Sequence, residues 1–293
     1  MSIANFIPSV WAADILRALD TLLVYANPAI INSDYEGEIS AAGDSVRINL
    51  LGDVTVKSYT RDTDIDTPEA LTDAQLTLTV DQAKYFNFAV DDIDRRQAQG
   101  DLRAEAARRA AYGLRKVMDS FVAGLYTEIA STQFTGDDTT PIADFDSNSD
   151  RAYNKLVDLG TLLNNTDTPE DGRFVVIPPW YEGYLQKDPR FTSYGTNGNR
   201  DQLLNGTQAG ENGLIGRAAG FDVYRSNQVP NTASAKYKII AGHRSAWSRA
   251  QQILETEAYR PERRFADALK GLHVYGAKVV RPYNLACLVA SDT

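Results

Sequence analysis

The chain has 293 residues, of which 43% are hydrophobic and 24% are charged, which is typical of a folded protein with a sizeable core. Its net charge of -9 argues against a protein whose main task is to grip phosphate backbones, because that task requires a basic surface. The one cysteine, Cys287, excludes an intrachain disulfide framework and fits folding in a reducing compartment.

The first predicted element is an amphipathic helix near the N-terminus. Apolar residues, among them Trp11 and Leu16, recur at helical spacing between residues 9 and 24. Charged residues interrupt the run, so it lacks the character of a signal peptide. No stretch of the chain reaches the ~20 apolar residues of a membrane span. Such an amphipathic helix needs an apolar surface to cover, and a neighbouring subunit is one candidate for that surface.

An alternating segment follows this arm. Val46, Ile48 and Leu50 alternate with polar residues, Gly52-Asp53 predicts a turn, and residues 54–58 alternate again. This pattern predicts a hairpin of two short strands, followed by an acidic, turn-prone stretch. Such a hairpin has little core of its own, so we interpret residues 44–75 as an extended arm.

The clearest helix pattern lies further along the chain. Residues 76–90 show strand-like alternation, and residues 101–131 then carry an apolar residue at every third or fourth position. Thirty residues of helix would be ~45 Å long. A small globular domain does not need such a rod, so the pattern predicts a spine helix.

The remaining residues predict a mixed helical and strand region followed by a strand-rich tail. Residues 132–150 read as a loop, and the next segment carries helix, strand and glycine-rich turn signals. In chain order we predict a helix at 151–165, a buried strand at 173–179, a short helix and a mobile loop within 180–213, a strand after Gly220, a strand at 236–243, and a sheet-core segment at 272–291.

Two glycine-rich stretches have part of the glycine spacing of nucleotide-binding motifs. In "GLHVYGAKVV", Gly271 and Gly276 have the spacing of a phosphate loop, but Ala277 stands where lysine is required. In "GLIGRAAG", residues 213–220, the first glycine pair is missing and a strand pattern follows instead of a helix. We therefore predict no nucleotide site and no cofactor.

Catalytic and metal-ligating patterns are equally sparse. His243 and His273 lie in unrelated segments, and Cys287 is expected to be a small buried residue. Asp62, Asp64 and Asp66 match three ligand positions of a calcium loop, but its glycine and its final glutamate are absent. A solvated or partner-facing acidic tip is the preferred interpretation, and a weak cation site is the alternative.

Pairs of arginines occur at three places, including Arg108-Arg109 within the predicted spine helix. On a net acidic protein we interpret them as forming salt links to acidic neighbours. Weak contact with DNA is the alternative.

The order of these parts resembles the major capsid proteins of tailed bacteriophages, which have the Hong Kong 97-type fold. The phrases that carry the resemblance are "GDSVRINLLGDVTV", "TLTVDQAKYFNFAVDDIDRRQA", "GRAAGFDVYRSNQVP" and the closing segment from His243 to Pro282. The resemblance implies an α+β chain with an N-terminal arm (1–43), a hairpin arm (44–75), a peripheral domain (76–149 and 236–293) that contains the spine helix, and an axial domain (150–235).

The same resemblance implies a non-enzymatic shell subunit of the virion, assembled in the host cytoplasm as hexamers and pentamers around double-stranded DNA. It implies scaffolding and portal proteins as partners, with a decoration protein as a further candidate and no membrane. Some members of the family crosslink a lysine to an asparagine; Lys57 and Asn284 are candidates here, and an ordinary surface lysine is the preferred interpretation. The alternatives are a cellular compartment shell of the same fold and an acidic α/β enzyme. Candidate contact residues are Trp11, Leu16, Lys57, Asp62, Asp64, Asp66, Arg108 and Arg109.

Overall fold

A computed structural model describes residues 24–34, 45–51, 56, 58–59, 61–62, 64, 73–91, 102–143, 145, 151–188, 213–232, 235–263 and 265–292. Within these ranges the chain forms helices α1 (Leu102–Gly124), α2 (Ala152–Asn164) and α3 (Pro179–Lys187). The strands are β1 (Ser45–Leu51), β2 (Asp73–Thr79), β3 (Gln82–Asp91), β4 (Phe134–Thr135), β5 (Arg173–Ile177), β6 (Leu214–Ala218), β7 (Phe221–Arg225), β8 (Asn231–Thr232), β9 (Lys236–His243), β10 (Trp247–Tyr259), β11 (Ala266–Val279) and β12 (Leu285–Ser291).

The arm is a two-stranded antiparallel ribbon of β1 and β2. Its register runs from Ser45 opposite Thr79 to Leu51 opposite Asp73. The predicted pairing of β1 with residues 54–58 is therefore wrong, because β1 pairs along its whole length with a strand that begins after residue 72. Of the alternating residues at 54–58, Val56 and Ser58 are described, and both are exposed and lie outside any strand. The second strand of the ribbon also extends four residues beyond the predicted boundary at residue 75.

The base of the arm packs on a three-stranded sheet with the order β10-β11-β3. Ile48, Leu78 and Val80 of the arm form a buried cluster with Ala250 and Val274 of the sheet. Successive residues of a strand point to opposite faces. The other face of this sheet packs on α1, where the Phe121 and Tyr275 rings meet edge to face at 5.4 Å. The sheet is thus held between the arm and the spine helix.

The long helix is confirmed, but it ends earlier than the predicted residue 131. After Gly124 the chain tightens into a 3-10 turn, Leu125–Glu128. The Glu128 carboxylate pairs with Lys278 Nζ at 2.7 Å and accepts the Val279 N–H at 3.2 Å. These contacts tie the turn to β11. The helix is therefore about 35 Å long.

The larger sheet has seven strands in the described part of the chain. Its order is β4-β12-β9-β5-β7-β6, and β8 pairs with β9. Every residue of β5 is buried, which confirms the buried strand predicted there. Phe174 and Val176 join the core that contains α1, while Val175 and Ile177 join the core that contains α2 and α3. The sheet is therefore covered on both faces.

The strand-rich tail is divided between the two sheets, which differs from the prediction of one sheet-core segment. β11 belongs to the three-stranded sheet, whereas β12 lies between β4 and β9 in the larger sheet. The larger sheet also joins strands from both sides of the predicted boundary at 235/236, because β9 pairs with β5 and β8. The division into axial and peripheral domains stays a prediction. Its last boundary, at 235/236, separates strands that belong to the same seven-stranded sheet.

The glycine-rich stretch at 213–220 is part of a β-hairpin. Ala218 lies opposite Phe221, and the two residues between them, Ala219 and Gly220, have φ values of 51° and 86°. Positive φ at both positions is the geometry of a type I′ turn. Gly213 has a φ of 77°, and a Cβ there would lie 2.7 Å from the Arg225 carbonyl oxygen. The glycines therefore serve turns and close backbone packing.

The other predicted elements of the mixed region agree with the structure. The helix predicted at 151–165 is α2, the short helix is α3, the strand after Gly220 is β7, and the strand at 236–243 is β9. Residues 189–212, where a mobile loop was predicted, lie outside the described residues. Among the helices that are described, none has the length and apolar character needed to cross a membrane.

Candidate intersubunit surfaces

The arm tip, residues 56–64, combines exposed apolar side chains with exposed carboxylates. Val56 is 95% exposed and Tyr59 is 72% exposed. Asp62 and Asp64 are also exposed. The ion pair of Arg61 with Asp62 joins two side chains that are more than nine-tenths exposed, so water screens it strongly. Apolar groups in this position are typical of a contact surface.

The exposed face of the spine helix presents cations. This α1 basic face consists of Arg109, Tyr112, Gly113, Lys116 and Val117, which are three or four residues apart along the helix. Tyr112 is 54% exposed and Val117 is 42% exposed. A Cβ at Gly113 would meet no atom within 4 Å, which leaves a flat area between the larger side chains.

Residues 24–32 form an N-terminal plug, which fills the space between α1 and β10. Five of its apolar side chains are at most 4% exposed, namely Val24, Tyr25, Ala26, Ile30 and Ile31, whereas Pro28 and Ala29 are exposed. Trp247 Nε1–H donates a hydrogen bond to the Ile30 carbonyl at 2.7 Å. The Asn32 N–H donates to Trp247, and the Arg249 N–H donates to Asn32. The start of the described chain is therefore integrated into the core.

The structure describes only some of the predicted contact residues. Trp11, Leu16, Lys57 and Asp66 are outside the described residues, and so is the side chain of Arg108. Asp62 and Asp64 are exposed in the arm tip, and Arg109 is exposed on the α1 basic face. Their role in contacts between subunits stays a prediction.

The assembly of an extended arm, a spine helix and two sheets has counterparts among known proteins. Residues 72–288 match the model of a family described as phage capsid protein. The match covers more than half of the 293 residues. The chain belongs to the phage capsid protein family. It is therefore a structural shell subunit of a virion capsid, and its role is not enzymatic.

Solved structures support the same assignment. A structure from Mycobacterium phage Che8 is 31% identical to this capsid subunit, with a TM-score of 0.68 and coverage of 91% of this chain and 90% of that chain. The capsid structure of Cyanophage P-SCSP1u is 17% identical, with a TM-score of 0.62 and coverage of 95% and 88%. The SrpI encapsulin complex of Synechococcus elongatus PCC 7942 is 14% identical, with a TM-score of 0.55 and coverage of 87% and 85%. The last two show a shared fold. No curated protein matches the chain significantly.

The side chains of His243 and Cys287 have structural roles in this capsid subunit. His243 caps a 3-10 turn: its Nδ1 accepts the Ser245 N–H at 3.3 Å and lies 2.7 Å from Ser245 Oγ. Burial, followed by the charge of Arg244, lowers the pKa of His243. Burial raises the pKa of the Cys287 thiol to about 12, so the nucleophilic thiolate is scarce at neutral pH.

No group of three or more histidine, cysteine or acidic side chains within the described ranges is placed to hold a metal ion. Asp62 and Asp64 of the predicted cluster are exposed, and Asp66 lies outside those ranges. The cluster as a whole stays a prediction.

The sequence did not predict the structural roles of two residues that position the surfaces of the capsid subunit. A Cβ on Gly276 would lie 2.3 Å from the Thr79 carbonyl oxygen, so this glycine lets the arm base approach β11. Asp119 is completely buried, and its carboxylate holds the plug. A glycine inside a strand pattern, such as Gly276, can indicate that another backbone packs closely against the strand. The burial of Asp119 could not be predicted, because acidic residues are common on the solvent-facing side of an amphipathic helix.

His273 is a buried histidine whose removal should change the response to acid. Its side chain is 1% exposed, and neither ring nitrogen has a hydrogen-bond partner among the described residues. Burial, together with the nearby Arg249 charge, lowers its pKa to about 4. The unfolded chain binds this proton near pH 6.5 and the folded chain does not, so stability falls as pH falls from 6.5 to 4. The loss is about 3 kcal/mol.

We expect His273→Phe to be as stable as the wild type or more stable at pH 7, because it removes two buried polar atoms without partners. We also expect it to remove most of this acid-induced loss. Urea unfolding at pH 4 and pH 7 measures both effects. His243→Gln is the control, and it should keep the loss that His273 causes. An undiminished loss in His273→Phe would contradict this assignment.

Proposed function

We propose that the chain assembles with copies of itself into hexamers and pentamers, which close into an icosahedral shell around double-stranded DNA. In this proposal the arm of each subunit lies over the next subunit. Scaffolding and portal proteins direct assembly, and a decoration protein is a further candidate partner. The family assignment implies self-association, whereas the geometry of the contacts and the other partners are proposals.

The observation that carries the proposal is the exposed arm tip. A two-stranded ribbon is marginally stable in water by itself, and the arm residues described as buried, Ile48, Leu78 and Val80, lie against the sheet at its base. Val56 and Tyr59 remain exposed beyond that base. Burying them against another copy supplies apolar contact that the subunit does not provide for itself.

The α1 basic face is complementary to the arm tip in two respects. Each surface presents exposed apolar side chains, and the exposed carboxylates of Asp62 and Asp64 in the arm tip are complementary to the cations of Arg109 and Lys116 on the helix. Asp119, which is on the same helix, is completely buried and adds no exposed negative charge. Oppositely charged patches orient association and fix register. We therefore propose that the arm tip of one subunit contacts the α1 basic face of a neighbouring subunit.

A charge-reversal exchange tests this contact. Arg109→Glu with Lys116→Glu reverses the helix face, and Asp62→Lys with Asp64→Lys reverses the arm tip. We expect each double variant to reduce the yield of shells at least tenfold at low salt, because like charges then face each other at every copy of the contact. The combined fourfold variant should recover most of the yield. Electron microscopy and sedimentation measure the shells.

Arg244→Glu with Arg281→Glu is the matched control. It makes the same change in net charge as the helix-face variant, at two exposed positions that belong to neither surface, and we expect normal shells. If the fourfold variant fails to recover shells while its two parents fail, the contact is wrong. If the wild type forms only monomers or dimers at high concentration, the shell function itself is wrong.

A cellular compartment shell of the same fold was the second candidate. The encapsulin similarity is 14% in sequence and shows the fold alone. The family match names phage capsids, so the viral shell is the better supported function. Mass analysis of the shell contents distinguishes DNA from enclosed protein.

A further inference from the structure

A cavity of about 220 Å³ opens on the three-stranded sheet, beside the base of the arm. It lies between β3 and its neighbour β11, and Tyr85, Phe86 and Leu272 form its apolar wall. Leu272 packs against the buried cluster of the arm base, and Tyr85 is its direct partner in the register. The cavity therefore opens on the same face of the sheet as the arm base.

The rim of this cavity is polar and held in place by contacts across the sheet. The ammonium group of Lys270 lies 2.6 Å from the Glu257 carboxylate, and each of these two side chains is about half exposed. The same ammonium group lies 5.2 Å from the centre of the Tyr259 ring, whose hydroxyl group hydrogen-bonds with the Asn87 side chain. The cavity thus presents an apolar centre with charges of both signs at its rim.

The cavity has room for one aromatic side chain. An apolar cavity of about 150 Å³ in another protein binds benzene, and this one is larger. Tyr85 in its wall is 79% exposed, and an exposed aromatic residue beside a cavity is typical of a contact surface.

The hairpin tip, residues 260–265, joins β10 to β11 and carries an exposed aromatic side chain. Phe265 is 81% exposed, and outside the arm tip no other large apolar side chain of the described residues is more exposed. Glu262 and Arg263 precede it in the same turn and are also exposed. The hairpin tip therefore presents an apolar centre beside charges of both signs, which is the combination found at the cavity.

The hairpin tip cannot fill the cavity of its own subunit. Phe265 and Leu272 are joined by extended chain of β11, so their Cα atoms are about 20 Å apart. A phenylalanine side chain does not reach that far, and the occupant must come from another molecule. The chain is a capsid subunit and associates with copies of itself, so every copy supplies both a hairpin tip and a cavity.

We propose that Phe265 of one subunit enters this cavity of a neighbouring subunit. Arg263 then faces Glu257 at the rim, and Glu262 faces Lys270, so that opposite charges meet around the apolar contact. The contact joins two different surfaces and is therefore head-to-tail. It rests on the proposed shell function, and it uses surfaces other than the arm tip and the α1 basic face.

Thiol crosslinking in assembled shells tests this contact. Phe265→Cys and Tyr85→Cys, one of them tagged, are assembled together and treated with o-phenylenedimaleimide, a short thiol crosslinker. We expect a tagged–untagged dimer in the mixed shells and about tenfold less dimer in shells of either variant alone, because like residues do not face each other across a head-to-tail contact. The native Cys287 is buried and should not react. Tyr283→Cys mixed with Phe265→Cys is the matched control and should not crosslink, since Tyr283 is 58% exposed in a different turn.

A charge exchange tests the same contact without a crosslinker. Glu262→Lys with Arg263→Glu exchanges the charges of the hairpin tip, and Glu257→Lys with Lys270→Glu exchanges those of the rim. Both double variants keep the net charge, and the rim variant keeps its internal ion pair. We expect each to lower the shell yield about fivefold at low salt, because like charges then meet, and the fourfold variant should recover most of the yield. Circular dichroism should show that all three are folded.

Three results would overturn the contact and leave the shell function intact. They are shells without the mixed crosslink between positions 265 and 85, a hairpin-tip exchange that leaves the shell yield unchanged, and a Phe265→Cys sample that crosslinks to itself as well as the mixture does. The last result would show that two hairpin tips meet each other. If the wild type forms no shells at all, the proposed function fails and the contact fails with it.

Discussion

Replacing residues 52–72 with Asn-Gly is expected to leave a folded subunit that no longer builds shells. The register of the arm ends with Leu51 opposite Asp73, so a two-residue type I′ turn can join these strands directly. The base of the arm keeps its buried cluster of Ile48, Leu78 and Val80. The replacement removes the arm tip, with its exposed apolar and acidic side chains, and therefore the proposed contact with the next subunit.

We expect the free energy of unfolding of this variant to lie between the wild-type value and about 2 kcal/mol above it, since shortening the connection lowers the entropic cost of closing it. Circular dichroism during urea unfolding measures this, and electron microscopy measures the shells. A Gly/Ser segment of the native loop length is the matched control, and it should also fail, because length without the side chains is insufficient. Normal shells from either variant would refute the arm assignment.

Gly276→Ala is expected to destabilise the subunit and to prevent shell assembly. The new Cβ would lie 2.3 Å from the Thr79 carbonyl oxygen and 2.9 Å from Val80 Cα. Both are backbone atoms and have no rotamer that relieves the clash. The arm base must therefore move away from β11, which separates Val80 from Val274 in the buried cluster. We expect a loss of about 3 kcal/mol, at the upper end of the usual cost of overpacking.

Gly216→Ala is the matched control for this substitution. Gly216 also lies in a strand, and its added Cβ would meet no atom within 4 Å. We expect its stability to stay within about 0.5 kcal/mol of the wild type and its shells to be normal. Thermal unfolding ranks the two variants. Equal stability of Gly276→Ala and Gly216→Ala would show that the arm base does not need this close approach.

Local patterns predicted the elements of this fold with good accuracy. The spacing of apolar residues identified α1, α2, β3, β5 and β9, and the positive-φ turn at Ala219-Gly220 falls within the stretch whose glycines predicted turns. The absence of a phosphate-loop lysine and of clustered histidines pointed away from enzymes, and the order of parts pointed to the phage capsid family, which the family match confirms. These signals are local because period and turn chemistry depend on neighbouring residues.

The partners of the strands needed the tertiary structure. β1 pairs with β2 across an interval of more than 20 residues, although the alternating segment at 54–58 is nearer along the chain. The apolar strands β11 and β12 read as one sheet-core segment and joined different sheets. Alternation marks which side of a strand is apolar, but it does not name the strand that covers it. Long-range packing makes that choice.

The sequence by itself determined the α+β class, most of the elements and the family of this capsid subunit, because each follows from residue types and their spacing. Only the tertiary structure decided that Gly276 receives the arm base and that Asp119 holds the plug. Both are contacts between residues far apart along the chain. Their physical basis is close packing and the desolvation of one charge, and neither property belongs to a residue until the fold surrounds it.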